Sequence, residues 1–415
     1  MQTIGFNLQP LVSGHLTGIG QYTLHVMKAI IRQRPEGMLL EAQITDFLGR
    51  NKAEKCLMDY FGCLPDSFTT PSDKGTSSLL AVNPVENSYL MPCFDQIRIN
   101  KILPFGVYIR GKMITKLLPY QFLFGTNAQK TVFFNFIKPA AVMGKSIITV
   151  YDMVYDKYPE TMQSRNRQLL EKHLPRSCHE ADAIVTISNA VKREIVELLH
   201  IPECKVHVAC CGVDSSLFCP ASQPSQQLLE KSFLKERYQL PESYLLYLGT
   251  LEPRKNITTL LKAFHKIAAK YADLKLVLAG EKGWGYEPVL QMINQSAYRD
   301  RILLPGYVDE KDKPALYRQA ELFLYPSLYE GFGMPPLEAL ACGTPVIASN
   351  TSSLPEVIGQ AGILIAPGDI DGYAAAIDRV LTNEGFRSEM ASIQQNQARQ
   401  FTWAKAASVY LNLLE

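Results

Sequence analysis

The sequence predicts an α/β protein made of two doubly wound domains, and three observations carry that prediction. Short, continuous apolar runs recur along the chain with helical patterns between them, the alternation expected of a parallel sheet covered on both faces. The chain has 415 residues, too many for one core at roughly 150 residues per domain. A polar stretch carrying Ser, Gln and Pro, "GVDSSLFCPASQPSQQLLEKSFLKERYQL" (212–240), separates the two halves and marks a boundary.

In the first half, "TIGFNL" (3–8) reads as a strand leading through a glycine-containing loop into the helix "QYTLHVMKAIIRQ" (21–33). "SIITVYD" (146–152) and "AIVTIS" (183–188) read as strands, the second followed by the helix "NAVKREIVELLH" (189–200). The second half is clearer. "YLLYLG" (244–249) precedes a helix over 257–271 with Leu260, Leu261, Phe264, Ile267 and Ala268 on one stripe. "LKLVLAG" (274–280), "RILLPGYV" (301–308), "ELFLYPS" (321–327), "TPVIAS" (344–349) and "GILIAP" (362–367) continue the strand series.

Composition excludes several classes. The apolar share of 47% is that of a globular protein, and 42 Lys plus Arg against 40 Asp plus Glu gives no basic excess for nucleic acid. The nine cysteines form no CxxC pair and read as free thiols of a reducing compartment. Met1 leads directly into "TIGFNL" without a signal pattern, and no run approaches the ~20 apolar residues of a membrane span. The expected location is the cytoplasm.

The chemistry concentrates in "YPSLYEGFGMPPLEALACGTPV" (325–346). Pro335 and Pro336 lack an N–H and suit the first turn of a helix, which Gly343 ends. Residues Gly331 to Met334 therefore approach a helix N-terminus, where unpaired N–H groups and about half a positive charge favour an anion such as phosphate. The same point lies beyond the carboxyl end of a parallel strand, where open α/β sheets bind ligands. Glu330 stands at the lip of this turn, able to accept from a polyhydroxyl ligand. Glu338, inside the helix, can accept from two neighbouring hydroxyls such as those of ribose. Phosphate on the turn with a sugar on either side describes a sugar nucleotide. In "YLGTLEPRKNITTLL", Arg254 and Lys255 precede a helix with Asn256 as the expected N-cap. Both cations fall at the same sheet edge, and each charge-assisted bond to a diphosphate is worth ~1.5–3 kcal/mol.

"GTLEPRKN", "LVLAGEKGW", the run "LPGYVDEKDKPALYRQAELFLYPSLYEGFGMPPLEALACGTPVIASNTSSLPEVIGQAGILIAPGD" and the terminal "FTWAKAA" resemble glycosyltransferase family 4, in particular its bacterial mannosyltransferase-like, polysaccharide-assembling members. "TGIGQYT" (17–23), "TVYDMVYDKYPE" (149–160), "IVTISNAVKREIV" (184–196) and "CGVDSSLFCP" (211–220) extend the likeness more patchily. The resemblance implies a GT-B fold: two Rossmann-like domains facing across a cleft, with a C-terminal helix crossing back to the first domain. It implies an acceptor-binding domain over 1–212, a linker over 213–240, a nucleotide-sugar domain over 241–399 and the crossover helix over 400–415. It also implies a retaining enzyme, needing no metal or other cofactor, that moves a hexose, mannose from GDP-mannose, to a glycan or polyprenyl-linked acceptor. The alternatives are a non-catalytic sugar-nucleotide binder and an enzyme acting on soluble sugars. By the same resemblance Glu330 contacts the donor sugar and Glu338 the ribose. Phe332, Gly333 and Met334 offer N–H groups, Arg254 and Lys255 hold the diphosphate, Thr250 and Gly331 belong to the donor site, and Tyr307 with Val308 flanks the base.

The first half departs from the family in places. "GHLTGIGQYT" holds Gly14, Gly18 and Gly20. It fails as a dinucleotide fingerprint, because Thr23 stands in place of the third glycine and about twenty residues further on "QRPEG" gives only a Glu in turn context. The expected role is a loop closing over the donor diphosphate. In "TVYDMVYD" Tyr151 stands where the family often has histidine, leaving Asp152 as the candidate acceptor-site carboxylate. From Gln96 to Tyr151 there is no acidic residue, while Arg98, Lys101, Arg110, Lys112, Lys116, Lys130, Lys138 and Lys145 lie among aromatics. That mixture suits an anionic membrane surface and suggests contact with the inner membrane.

Overall fold

In the computed structural model, residues 2–12, 16–47, 59–61, 78–81, 94–102 and 126–415 are described. Among these described residues, fourteen strands form two sheets. The first contains β1 (Gln2–Asn7), β2 (Met38–Phe47), β3 (Ser78–Ala81), β4 (Gln96–Ile102), β5 (Lys130–Phe133), β6 (Lys145–Val150), β7 (Ala183–Thr186) and β8 (Val206–Val208). Their order is β3-β4-β2-β1-β5-β6-β7-β8, parallel except for β3, which runs antiparallel to β4. The second contains β9 (Tyr244–Leu248), β10 (Lys275–Ala279), β11 (Ile302–Gly306), β12 (Leu322–Tyr325), β13 (Val346–Ser349) and β14 (Ile363–Ile365). Its order, β11-β10-β9-β12-β13-β14, reverses direction at β9, beside which the following loops converge. The helices that matter to the site are α1 (Gly18–Gln33), α2 (Asn189–Leu199), α3 (Pro224–Tyr238), α4 (Ile257–Ala268), α5 (Lys313–Gln319), α6 (Met334–Ala341) and α7 (Trp403–Leu414).

Strands read from continuous apolar runs are found where expected, because β9, β12 and β13 are buried on both faces. β2 escapes that reading because it alternates Glu41 and Gln43 into the interior. Both are fully buried, and Gln43 Nε2 donates to Glu41 Oε1 at 2.7 Å. Gly5 on β1 leaves the room: a Cβ there would lie 2.4 Å from Gln43 Nε2. The stretch 213–240, expected as linker, contains α3, which packs on α5. Arg318 Nε donates to Glu230 at 3.1 Å to join the two helices.

α7 returns to the first domain and packs against α1. Its Tyr410 hydroxyl meets Thr149 Oγ1 at 2.9 Å and the Tyr22 hydroxyl at 3.3 Å. Lys130 Nζ donates to the Leu414 carbonyl at 2.6 Å, a cation on the negative end of the helix. The two chain passages between domains run side by side, with Val213 N donating to the Phe401 carbonyl at 3.2 Å. Gly212 permits this, since a Cβ there would stand 2.2 Å from Trp403 N.

The domains touch again at 151–153 against 329–331. A Cβ on Gly331 would lie 2.1 Å from the Tyr151 carbonyl oxygen and 3.2 Å from Asp152 Cβ. Gly331→Ala therefore overpacks a backbone-to-backbone contact and is expected to cost about 1–3 kcal/mol in urea denaturation. Gly368→Ala, where a Cβ would meet nothing within 4 Å, serves as the neutral control. Equal stability of the two variants would contradict this contact.

Candidate functional site

β9 ends in a short 3-10 turn, Pro253–Lys255, that delivers two cations to the sheet's carboxyl edge. β12 ends four residues before Tyr329, and the chain then enters α6 through Glu330 to Gly333. The two segments meet. Lys255 Nζ lies 2.6 Å from Glu330 Oε1 and donates to the Tyr325 hydroxyl at 2.8 Å. Arg254 donates to Glu330 Oε2 at 2.9 Å, to the Tyr329 carbonyl at 2.7 Å and to Glu252 Oε1 at 2.8 Å. Burial opposes the Glu330 charge, but the Arg254 and Lys255 cations outweigh it and hold the carboxyl at about 2, below its ordinary 4.5. Lys255 is pushed down by burial and by Arg254.

Two serines after β13 fix the turn. Glu330 N donates to Ser352 Oγ at 2.9 Å, and Ser353 Oγ donates to the carbonyls of Glu330 at 2.8 Å and Phe332 at 2.7 Å. Gly333 is the N-cap of α6 at φ 112, where a side chain would be strained and would strike Leu354. With prolines at the next two helical positions after Met334, the N–H groups of Phe332, Gly333 and Met334 find no acceptor among the described residues. Unpartnered N–H groups at a helix start are the kind of donors that can hold an anion.

Beside this turn lies a cavity of about 370 Å³ between the domains, walled by His25, Tyr307, Lys313, Met334, Glu338 and Trp403. His25 stacks on Trp403 at 4.9 Å. Glu338 opens onto the cavity and accepts from the Tyr317 hydroxyl at 2.8 Å. Burial raises its pKa against the pull of Lys313. Asp152 enters from the first domain, its Oδ1 accepting from Val154 N at 3.2 Å. Burial raises its pKa, Arg254 opposes that, and Glu330 and Glu252 add to it, so the three carboxylates share one neighbourhood.

The family model for glycosyl transferases group 1 matches residues 230–400, and that for glycosyltransferase family 4 matches residues 132–217. The chain is 34% identical over 280 residues to the O-antigen chain mannosyltransferase B of Escherichia coli, covering 67% of this chain and 72% of that one. The chain belongs to glycosyltransferase family 4. It is also 33% identical over 237 residues to the serotype-specific mannosyltransferase WbdA of Escherichia coli, but spans only 28% of WbdA's length. Among solved structures, sucrose-phosphate synthase from Thermosynechococcus elongatus superposes with a TM-score of 0.68 at 19% identity, covering 100% of this chain and 98% of that one. WaaG, a glycosyltransferase involved in lipopolysaccharide biosynthesis, superposes at 0.65 with 13% identity and 99% of both chains covered. These neighbours share the GT-B fold.

The glycosyltransferase brings most of the residues read from sequence together: Arg254, Lys255, Glu330 and Asp152 at one point, with Tyr307, Met334 and Glu338 around the cavity beside it. Others sit differently. Gly18 and Gly20 belong to the first turn of α1 rather than to a loop, with Gly20 N donating to Thr17 Oγ1. A Cβ on Gly18 would meet Met334 Cε across the cleft at 3.8 Å, so this helix end faces the start of α6; Gly14 lies outside the described residues. Asn256 holds the N-cap position of α4 without capping it. Its side chain instead donates to the carbonyls of Pro326 and Pro367 at 3.0 and 2.7 Å. Val308 is buried, and the Thr250 carbonyl accepts from the Tyr247 hydroxyl at 3.0 Å. Tyr151 is a core residue, packed edge-on against Tyr22 and Phe136. Of the basic stretch, Lys138 is buried and pairs with Glu180 at 3.0 Å, while Lys130 holds α7. Residues 103–125 lie outside the described residues. Sequence reading missed Glu252, two residues before Arg254, and Tyr329, directly before Glu330. It also missed Glu194, which only the tertiary fold brings near.

Glu330→Gln leaves two buried cations half-partnered, and loss of one partner from such a cluster costs about 3 kcal/mol. The wild-type carboxyl titrates lower folded than unfolded. Its contribution is therefore complete above about pH 4.5 and disappears as pH falls through about 2. The stability gap between wild type and Glu330→Gln, measured by denaturant titration, is expected to narrow across that window. A pH-independent gap would show that the charge does not hold the cluster.

Proposed function

We propose that this enzyme takes mannose from GDP-mannose and transfers it, with retention and without a metal, to a lipid-linked glycan during O-antigen or exopolysaccharide assembly at the cytoplasmic face of the inner membrane. One observation carries the reading: a buried carboxylate, two cations and three unpartnered N–H groups converge where β9 and β12 end. The likeness to a mannosyltransferase that builds O-antigen chains supports mannose as the sugar.

In this reading the diphosphate takes over Lys255 and Arg254 and the amides of Phe332 to Met334. Glu330, released from its ion pairs, accepts hydrogen bonds from the sugar hydroxyls, and Glu338 accepts from the ribose. The acceptor oxygen bonds to the anomeric carbon as the bond from that carbon to the diphosphate oxygen breaks. The proton of the acceptor hydroxyl passes to the departing diphosphate on the same face, which retains the configuration. Asp152 orients the acceptor. The cations offset charge as it develops on the leaving group, where preorganised electrostatics are most effective.

Lys255→Ala should lower turnover with GDP-mannose by roughly 10²-fold or more. Near-full activity of that variant at saturating donor would remove the assigned role. In a thermal-shift series of GDP-, UDP- and ADP-sugars, the GDP-sugar should raise the melting temperature most, by mass action. Turnover unchanged by EDTA is expected; loss of turnover restored by added divalent metal would contradict the metal-independent mechanism.

A further inference from the structure

The residue preceding Glu330 spans the cleft. Tyr329 belongs to the second domain and is 2% exposed. Its hydroxyl donates to Glu194 Oε2 on α2 of the first domain at 2.5 Å and accepts from Met153 N at 2.9 Å. Burial pushes the Tyr329 pKa far up, so the hydroxyl remains a donor. Its ring lies 5.8 Å from that of Tyr158, another first-domain residue. Its carbonyl accepts from Arg254, the cation that also holds Glu330. One residue thus touches the first domain by its side chain and the charged cluster by its backbone. The flanking contact permits little slack, since Gly331 admits no side chain against Tyr151.

We infer that Tyr329 is a positioning residue for transfer: its hydroxyl clasps Glu194 and the Met153 amide, and so holds the cleft closed with Asp152 beside the Glu330–Arg254 pair. The clasp acts on the acceptor side of the reaction. This role rests on the proposed function, in which donor binding depends on Lys255, Arg254 and the amides of the second domain, none of which needs the Tyr329 hydroxyl. A second interdomain contact, at the start of the helix that carries Glu194, also reports on closure. The carboxylate of Glu356, on the helix Leu354–Ile358, accepts from Asn189 N at the start of α2 at 3.0 and 3.2 Å.

The test compares Tyr329→Phe, which keeps the ring and removes the hydroxyl, with Glu194→Ala and Glu194→Gln, the last retaining an oxygen acceptor. Hydrogen exchange is read at Met153 and at the Asn189 amide, alongside kcat with GDP-mannose and the Kd for GDP. Tyr329→Phe and Glu194→Ala should both speed exchange at Asn189 and lower kcat by roughly 10-fold or more, with GDP affinity unchanged. The double variant should be no worse than either single one, and Glu194→Gln should restore most of the turnover. Unchanged exchange at Asn189 in Tyr329→Phe would overturn the clasp. So would a parallel fall of kcat and GDP affinity, which would place the role of Tyr329 inside the second domain. Failure of the wild type to bind GDP would reject the proposed donor, and the exchange measurement would still decide the clasp.

Discussion

The site depends on one carboxylate held between two cations. Glu330 is nearly inaccessible to water, as is Lys255, and neither charge is sustainable there without the other. Their pairing fixes where β9's turn and β12's exit must lie relative to each other. It also makes the resting site close to neutral: Arg254 and Lys255 are matched by Glu330 and Glu252. In the proposed reading a diphosphate therefore exchanges for a carboxylate instead of entering a free basic pocket, and the carboxylate then finds donors in the hydroxyls of the sugar ring. That reading links recognition of the phosphate to recognition of the sugar through the same two cations.

The fold keeps this cluster close to the first domain. Glycines at 212 and 331 let backbone approach backbone where the chain passes between domains and where the cleft closes. The returning helix, anchored through Tyr410 and Lys130, ties the far end of the chain to the first sheet. The domains are thus joined at their paired passages and again at the site, which places Asp152 beside Arg254 without any covalent link between them nearby.

The second domain was largely legible because its strands are buried on both faces and appear as unbroken apolar runs. The turn from Glu330 to Met334 was legible because its glycines and prolines each meet a backbone demand, a positive φ at Gly333 and the first helical turn at Pro335 and Pro336. What escaped has physical causes. β2 hides behind Glu41 and Gln43, a polar pair bonded to each other inside the sheet. The helix α3 looked like linker because its outward face is polar apart from Leu228, Leu229 and Phe233, and only Leu234 is buried. Asn256 stands at the cap position yet ties two strand ends together, a distinction that residue type cannot make. Tyr151 turns inward into the core, which no local pattern reveals. Pairings such as Tyr329 with Glu194 span 135 residues and exist only once both domains are in place.

The most direct measurement of the central claim is a crystal structure with GDP-mannose or GDP bound. The account predicts diphosphate oxygens within hydrogen-bonding distance of Lys255 Nζ, the Arg254 guanidinium and the amides of Gly333 and Met334, with the 2.6 Å contact between Lys255 and Glu330 opened. A nucleotide bound elsewhere, with that ion pair intact, would contradict it.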